Sequence, residues 1–165
     1  MILGMSLAAF TQLHVAISLV AIAAGFIVLL SMIASRDLPV INAIFLILTA
    51  LTSITGFLFP FKGITPGIVI GILSMLVLAV AALARYSGHL DGRWRGAYIV
   101  TSALALYFNV FVLIVQSFEK VPALHNLAPT QTEAPFKIAQ LISLVLFAVL
   151  TALAFRRFRP SSLTA

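Results

Sequence analysis

The fourteen charged residues of this 165-residue chain fall in clusters and leave five charge-free runs, at 1–35, 38–61, 63–84, 96–118 and 138–155. A helix that crosses a bilayer needs roughly 20 predominantly apolar residues, within a range of about 17–25. Every run reaches that range. Composition agrees: 62% of the residues are hydrophobic and 8% are charged, against about 45–50% and about 25% in a soluble domain. Such a chain lacks the polar surface to cover a water-exposed globule and is too apolar for disorder. The expected fold is all-α: a five-helix transmembrane bundle forming one domain over 1–165, with helices at about 7–34, 38–60, 66–86, 95–117 and 137–156. The first run lacks a basic leader and is too long for a signal peptide, so it reads as an uncleaved helix.

Proline and glycine mark the breaks. Pro39 suits the first turn of the second helix, and Pro66 that of the third. Ser87-Gly88-His89-Leu90-Asp91-Gly92 is a compact polar turn. The segment 121–132, with Pro122, His125, Asn126 and Pro129, reads as loop. Five crossings put Arg36, Arg85, Arg93, Arg95, Arg156, Arg157 and Arg159 on one side and Lys62, Lys120 and Lys137 on the other. With Asp37 and Asp91 against the seven arginines, and Glu119 and Glu133 against the three lysines, the two sides carry +5 and +1. The positive-inside bias then predicts an outside N-terminus and a cytoplasmic C-terminus. Tyr86, Trp94 and Tyr98 are expected in an interfacial aromatic belt, with Arg93 and Arg95 meeting anionic headgroups.

The chain has no cysteine, which removes disulfides, thiolate metal sites and cysteine nucleophiles. Its net charge of +6 is scattered over short loops, so membrane topology explains it and nucleic acid is not an expected partner. The expected partners are the lipid bilayer and a second copy of the chain or a larger membrane complex.

Uncharged polar residues recur every seven positions: Thr11, Ser18 and Gly25; Asn42, Thr49 and Gly56; Ser102, Asn109 and Gln116. A seven-residue step returns to nearly the same helix face, so each series is a seam suited to interhelical packing. Gly63, Gly67 and Gly71 form a small-residue ladder leading into the third helix. Depth is uneven. Gln12, His14, Asn109, Gln116 and Gln140 belong to the outer half, whereas Asn42 is the one such residue of the inner half. Polar residues within spans tend to face the bundle interior, so the five outer residues are the candidate lining of an outward-facing polar cavity. Segment 118–136, with Val121, Leu124, Leu127 and Phe136, is expected to fold back on the bundle as a connector or a lid.

His14 is the one histidine within a span, and an intramembrane ionisable residue marks a functional site by default. No metal-ligand spacing joins it to His125, Glu119 or Glu133, and no metal site is expected. The size is similar to that of four-helix b-type cytochromes, but His14 has no partner in another span, which disfavours haem. A quinone or lipid requires only an apolar slot and one or two donors, which His14, Gln12, Gln116 and the run Phe57–Phe61 supply. Quinone is the one cofactor the residues admit. With no acidic residue in a span and no repeat, a coupled carrier is disfavoured, and no catalytic constellation is present.

Gly56–Phe61, His14–Leu19 and Leu127–Gln131 resemble a group of small bacterial multi-pass integral membrane proteins with no established activity. The resemblance covers most of the chain and implies a bacterial cytoplasmic membrane. The expected function is binding of an apolar ligand or partner helices through the outer half, with a quinone-interacting, redox-associated role as the alternative.

Overall fold

The computed structural model describes residues 1–60, 63 and 66–159. Phe61 and Lys62, which belong to the expected outer aromatic run and loop, lie outside the described residues. The architecture is all-helical: α1 Leu7–Ile33, α2 Pro39–Phe57, α3 Pro66–Ala82 running on into a π-helical turn Leu83–Ser87, α4 Arg93–Lys120, a short α5 Pro122–Leu127, and α6 Ala134–Arg157. Among the described residues, five of the six helices are long and apolar enough to cross a membrane.

Local chemistry explains the helix ends. The Ser6 hydroxyl caps α1 by accepting from the Ala9 amide at 3.2 Å. Proline stands in the first turn of α2, α5 and α6, where a missing N–H costs nothing. Helix α2 stops at Phe57, earlier than expected, ahead of Pro60. Segment 121–132 departs from the expected loop, because Pro122 initiates α5 rather than breaking the chain. The segment does fold back in part. Ala128 is fully buried, Phe118 meets Phe136 edge-on at 5.4 Å, and Gln131 Nε2 donates to the Val115 carbonyl at 3.0 Å. Leu127 stays exposed.

The long helices form a ring in the order α1, α2, α3, α4, α6, and α4 also touches α1 across it. The core gathers on α4, where Tyr98, Ile99 and Leu106 pack with Val28 and Leu29 of α1, Phe45 of α2 and Phe147 of α6. Outward-facing side chains are apolar as well: Leu141, Ile142, Val145 and Val149 of α6 are all more than half exposed. A surface of that kind is stable in hydrocarbon and not in water.

Hydrogen bonds identify the two ends of the bundle. Ser35 after α1, Asp37 before α2, Arg85 after α3, Arg95 at the start of α4 and Arg159 after α6 are linked to one another or to adjacent backbone at one end, here the arginine end. His14 of α1 and Thr55 of α2 meet at the opposite end.

The polar seams behave in two ways. Those of α2 and α4 meet: Asn109 Nδ2 lies 3.4 Å from Thr49 Oγ1, and Thr49 is fully buried. On α1 the hydroxyls turn back to their own helix, Thr11 to the Leu7 carbonyl and Ser18 to the His14 carbonyl, at 2.8 and 2.7 Å. Such back-bonding satisfies a hydroxyl in hydrocarbon without a neighbour. Gly25 is the α1 seam position that packs. A Cβ there would stand 2.6 Å from Leu106 and 2.8 Å from Phe45, so α1 approaches α2 and α4 as closely as it does because this side chain is absent. Gly71 does the same for the Phe57 ring of α2. Gly25→Leu is expected to cost about 1–3 kcal/mol through overpacking. Unfolding of the purified variant in detergent micelles measures it, and wild-type stability would contradict this account of the α1 seam.

Candidate functional site

The five outer residues take separate partners. His14 Nδ1 lies 2.7 Å from Thr55 Oγ1, and its ring meets Phe59 edge-on at 5.3 Å, beside a Phe10–Phe59 contact at 5.1 Å. Gln12 is exposed. Asn109 bonds across to Thr49 of α2. Gln116 Nε2 donates to Glu119 at 3.2 Å on its own helix. Gln140 Nε2 donates to the Phe111 carbonyl of α4 at 3.3 Å. His14 therefore belongs to the α1–α2 contact, Asn109 to α2–α4 and Gln140 to α4–α6. Glu119, Glu133, His125 and His14 do not gather either: among the described residues no three such ligands converge.

The densest polar cluster lies at the arginine end. Asp37 and Arg85 form an ion pair at 3.0 Å, the one ion pair among the described residues, with the Arg85 side chain 7% exposed and Asp37 31%. Asn42 Nδ2 donates to Asp37 at 3.2 Å and to the Leu38 carbonyl at 2.7 Å. The Tyr98 hydroxyl donates to Asn42 Oδ1, and the Arg85 guanidinium lies over the Tyr98 ring, 5.4 Å from its centre. Tyr98 is thus fully buried in the bundle rather than placed in the aromatic belt, whereas Tyr86 and Trp94 remain exposed.

The turn after α3 explains how a charged side chain enters the bundle. The Gly88 amide reaches back five residues to the Leu83 carbonyl at 2.8 Å, the bond of a π-turn. One extra residue in that turn alters the helix phase, and Arg85 sits within it, facing α2 and α4. Gly88 is required there because the Trp94 indole occupies the place of a Cβ, 2.4 Å away. His89, Leu90 and Gly92, all with positive φ, complete the tight return into α4.

This cluster fastens α2, α3 and α4 together. Its carboxylate is committed to Arg85 and Asn42, and its tyrosine hydroxyl to Asn42. Sequence reasoning counted Asp37 and Arg85 only as topology markers. The available signal was that Arg85 falls inside the expected third helix, with Asp37 at the same membrane side as a counter-charge.

A hollow with room for a ligand lies elsewhere. Between α4 and α6 runs an apolar groove of about 520 Å³, lined by Val100, Ala103, Leu104 and Tyr107 from α4 and by Leu144, Ala148, Thr151 and Ala152 from α6, with Phe155 and Arg156 at its end. Small side chains make the hollow. The Tyr107–Phe147 contact at 5.6 Å spaces the helices on one side, and Phe155, seated on Gly96, spaces them at the other. At Val100 and Phe155 the groove meets a second hollow of about 490 Å³, lined by Gly92, Arg93, Arg95, Gly96, Ala97 and Thr101. Arg95 Nη1 donates to the Phe155 and Phe158 carbonyls at 3.1 and 2.8 Å, so its side chain fixes the end of α6 to the start of α4. None of the five outer residues lines either hollow. The groove was not legible beforehand, because alanines facing lipid and alanines lining a slot read alike.

No protein family model, curated protein or solved structure matches this chain.

The ion pair makes a direct prediction. Asp37→Ala leaves the Arg85 charge buried and unpaired, at an expected cost of about 3 kcal/mol, the low end for a buried pair because Asp37 keeps a solvent face. Arg85→Met combined with Asp37→Ala is expected to recover most of that loss. A double-mutant cycle on micelle unfolding checks it; strictly additive losses would mean that the two residues do not act as a pair.

Proposed function

We propose that the protein is a non-catalytic membrane protein that accommodates an apolar chain from the bilayer in the groove between α4 and α6. The observation that supports this reading is the groove itself. Its volume lies in the range of ligand sites, its walls are apolar, and it opens sideways from a bundle whose outer surface is suited to lipid. Ala148→Trp, on the groove wall, tests it. Wild-type protein purified in a mild uncharged detergent is expected to carry a lipid-like molecule seen by mass spectrometry of the intact complex. The variant is expected to lose at least tenfold of it with helicity unchanged. Equal retention would remove the reading.

A quinone beside His14 is a second reading, favoured by one observation. Thr55 gives its hydroxyl proton to the Leu51 carbonyl and so accepts from Nδ1, which leaves Nε2 as an acceptor for a hydroxyl of the reduced quinone beside Phe59. Quinone extracted from purified wild-type protein but not from His14→Phe would support it.

The membrane proposed is a bacterial cytoplasmic one, with the arginine end inside. The support is the seven-to-three excess of basic residues at that end. A reporter fused after residue 165 is expected to be active only in the cytoplasm, and a periplasmic signal would reverse the topology.

A further inference from the structure

We infer that the molecule held in the α4–α6 groove is an anionic phospholipid whose phosphate sits between Arg93 and Arg156. This rests on the groove being the ligand site, and it adds the ligand's charge class and the residues that select it.

The two hollows adjoin at Val100 and Phe155 and differ in chemistry. The part along Ala103, Leu104, Leu144 and Ala148 is apolar and suits acyl chains. The part at the arginine end carries Arg93 and Arg95 on its wall, with Arg156 where the first hollow ends. None of these three arginines has a carboxylate partner, since the one ion pair among the described residues is Arg85–Asp37. Arg95 is occupied by the α6 carbonyls. Arg93 has only the Trp94 ring, 5.7 Å from its guanidinium, and is exposed, as is Arg156. Two guanidinium groups with no carboxylate partner among the described residues thus stand on the adjoining hollows, Arg156 on the first and Arg93 on the second.

Charge and shape therefore select the same molecule. A guanidinium binds a phosphate through parallel N–H donors, and it does so best where apolar walls exclude water. The first turn of α4 adds to this: no side chain caps it, and at Gly92, in the wall, nothing stands where a Cβ would be. A zwitterionic headgroup would bring an ammonium into the same arginine-rich mouth, which disfavours it. A basic recess between membrane helices with an apolar continuation is the general form of a site for acidic lipids.

The test uses full-length, delipidated protein in uncharged micelles, titrated separately with phosphatidylglycerol and phosphatidylcholine. Wild type is expected to bind phosphatidylglycerol about tenfold or more tightly than phosphatidylcholine, with a margin that shrinks as salt rises. Arg93→Gln with Arg156→Gln is expected to bring both lipids to the affinity of phosphatidylcholine. Arg93→Lys with Arg156→Lys, which keeps the charge, is expected to retain part of the margin and guards against misfolding in the glutamine pair. Equal affinity of wild type for the two lipids would overturn the anionic assignment while leaving the groove reading intact. So would displacement of phosphatidylglycerol by millimolar inorganic phosphate, which would mark a site for the free anion. A preference that survives the glutamine pair would overturn the assignment of these two residues. Binding of neither lipid by wild type would remove the groove reading as well.

Discussion

The buried guanidinium of Arg85 is the constraint around which the arginine end is built. A charge withdrawn from water at a helix end needs an opposite charge and further hydrogen bonds within reach. Asp37 supplies the charge, which places the turn between α1 and α2 against the end of α3. Asn42 holds Asp37, Tyr98 holds Asn42, and the Tyr98 ring underlies the guanidinium. Three helices are thereby fixed in mutual register at one end. Arg95 and Ser35 then attach the end of α6 to α4 and α1. The π-turn is part of the same arrangement, because it lets one residue of α3 face inward where the regular helix faces lipid.

The crossings were legible because charge exclusion from hydrocarbon is strong at every position. Five long helices follow from fourteen charged residues alone. The finer features depended on partners far along the chain. Tyr98 looks like a belt residue beside Trp94, yet its partner Asn42 lies 56 positions away, and nothing near Tyr98 in sequence announces it. The seven-residue seams were informative where the side chain is an amide, as with Asn42 and Asn109. They were not at the α1 hydroxyls of Thr11 and Ser18, because a serine or threonine in a helix can satisfy itself four residues back. Proline was ambiguous in the same way: Pro60 follows a helix end, while Pro122 begins one.

The candidate ligand groove shows why a site in a membrane protein is harder to read than its fold. In water, a slot is marked by apolar residues among polar ones. Here the groove wall, the bundle core and the lipid-facing surface share one composition. What separates Ala148 and Ala152 from other alanines is the width set by Tyr107 and Phe147 on one side and Phe155 on the other, a three-dimensional property. The skew of His, Asn and Gln toward the opposite half was real in the sequence. Those side chains resolve into separate contacts at different helix interfaces.

The two ends of the α4–α6 contact are held with unequal strength, and that bears on how a lipid would enter. At the arginine end, a charged donor bonds two α6 carbonyls, and Ser35 bonds the backbone at Arg159. At the opposite end, the link is a neutral bond from Gln140 at 3.3 Å and the edge contact of Phe118 with Phe136. Hydrogen bonds from ionised groups are roughly twice as strong as neutral ones, so α6 is held to α4 by the weaker bonds at the opposite end. On the proposed reading, an acyl chain would enter from the bilayer on that side and leave Arg93 and Arg156 undisturbed. The bonds that fix the fold at the arginine end would thus also fix the charged end of the proposed lipid site, where Arg95 ties α6 to α4.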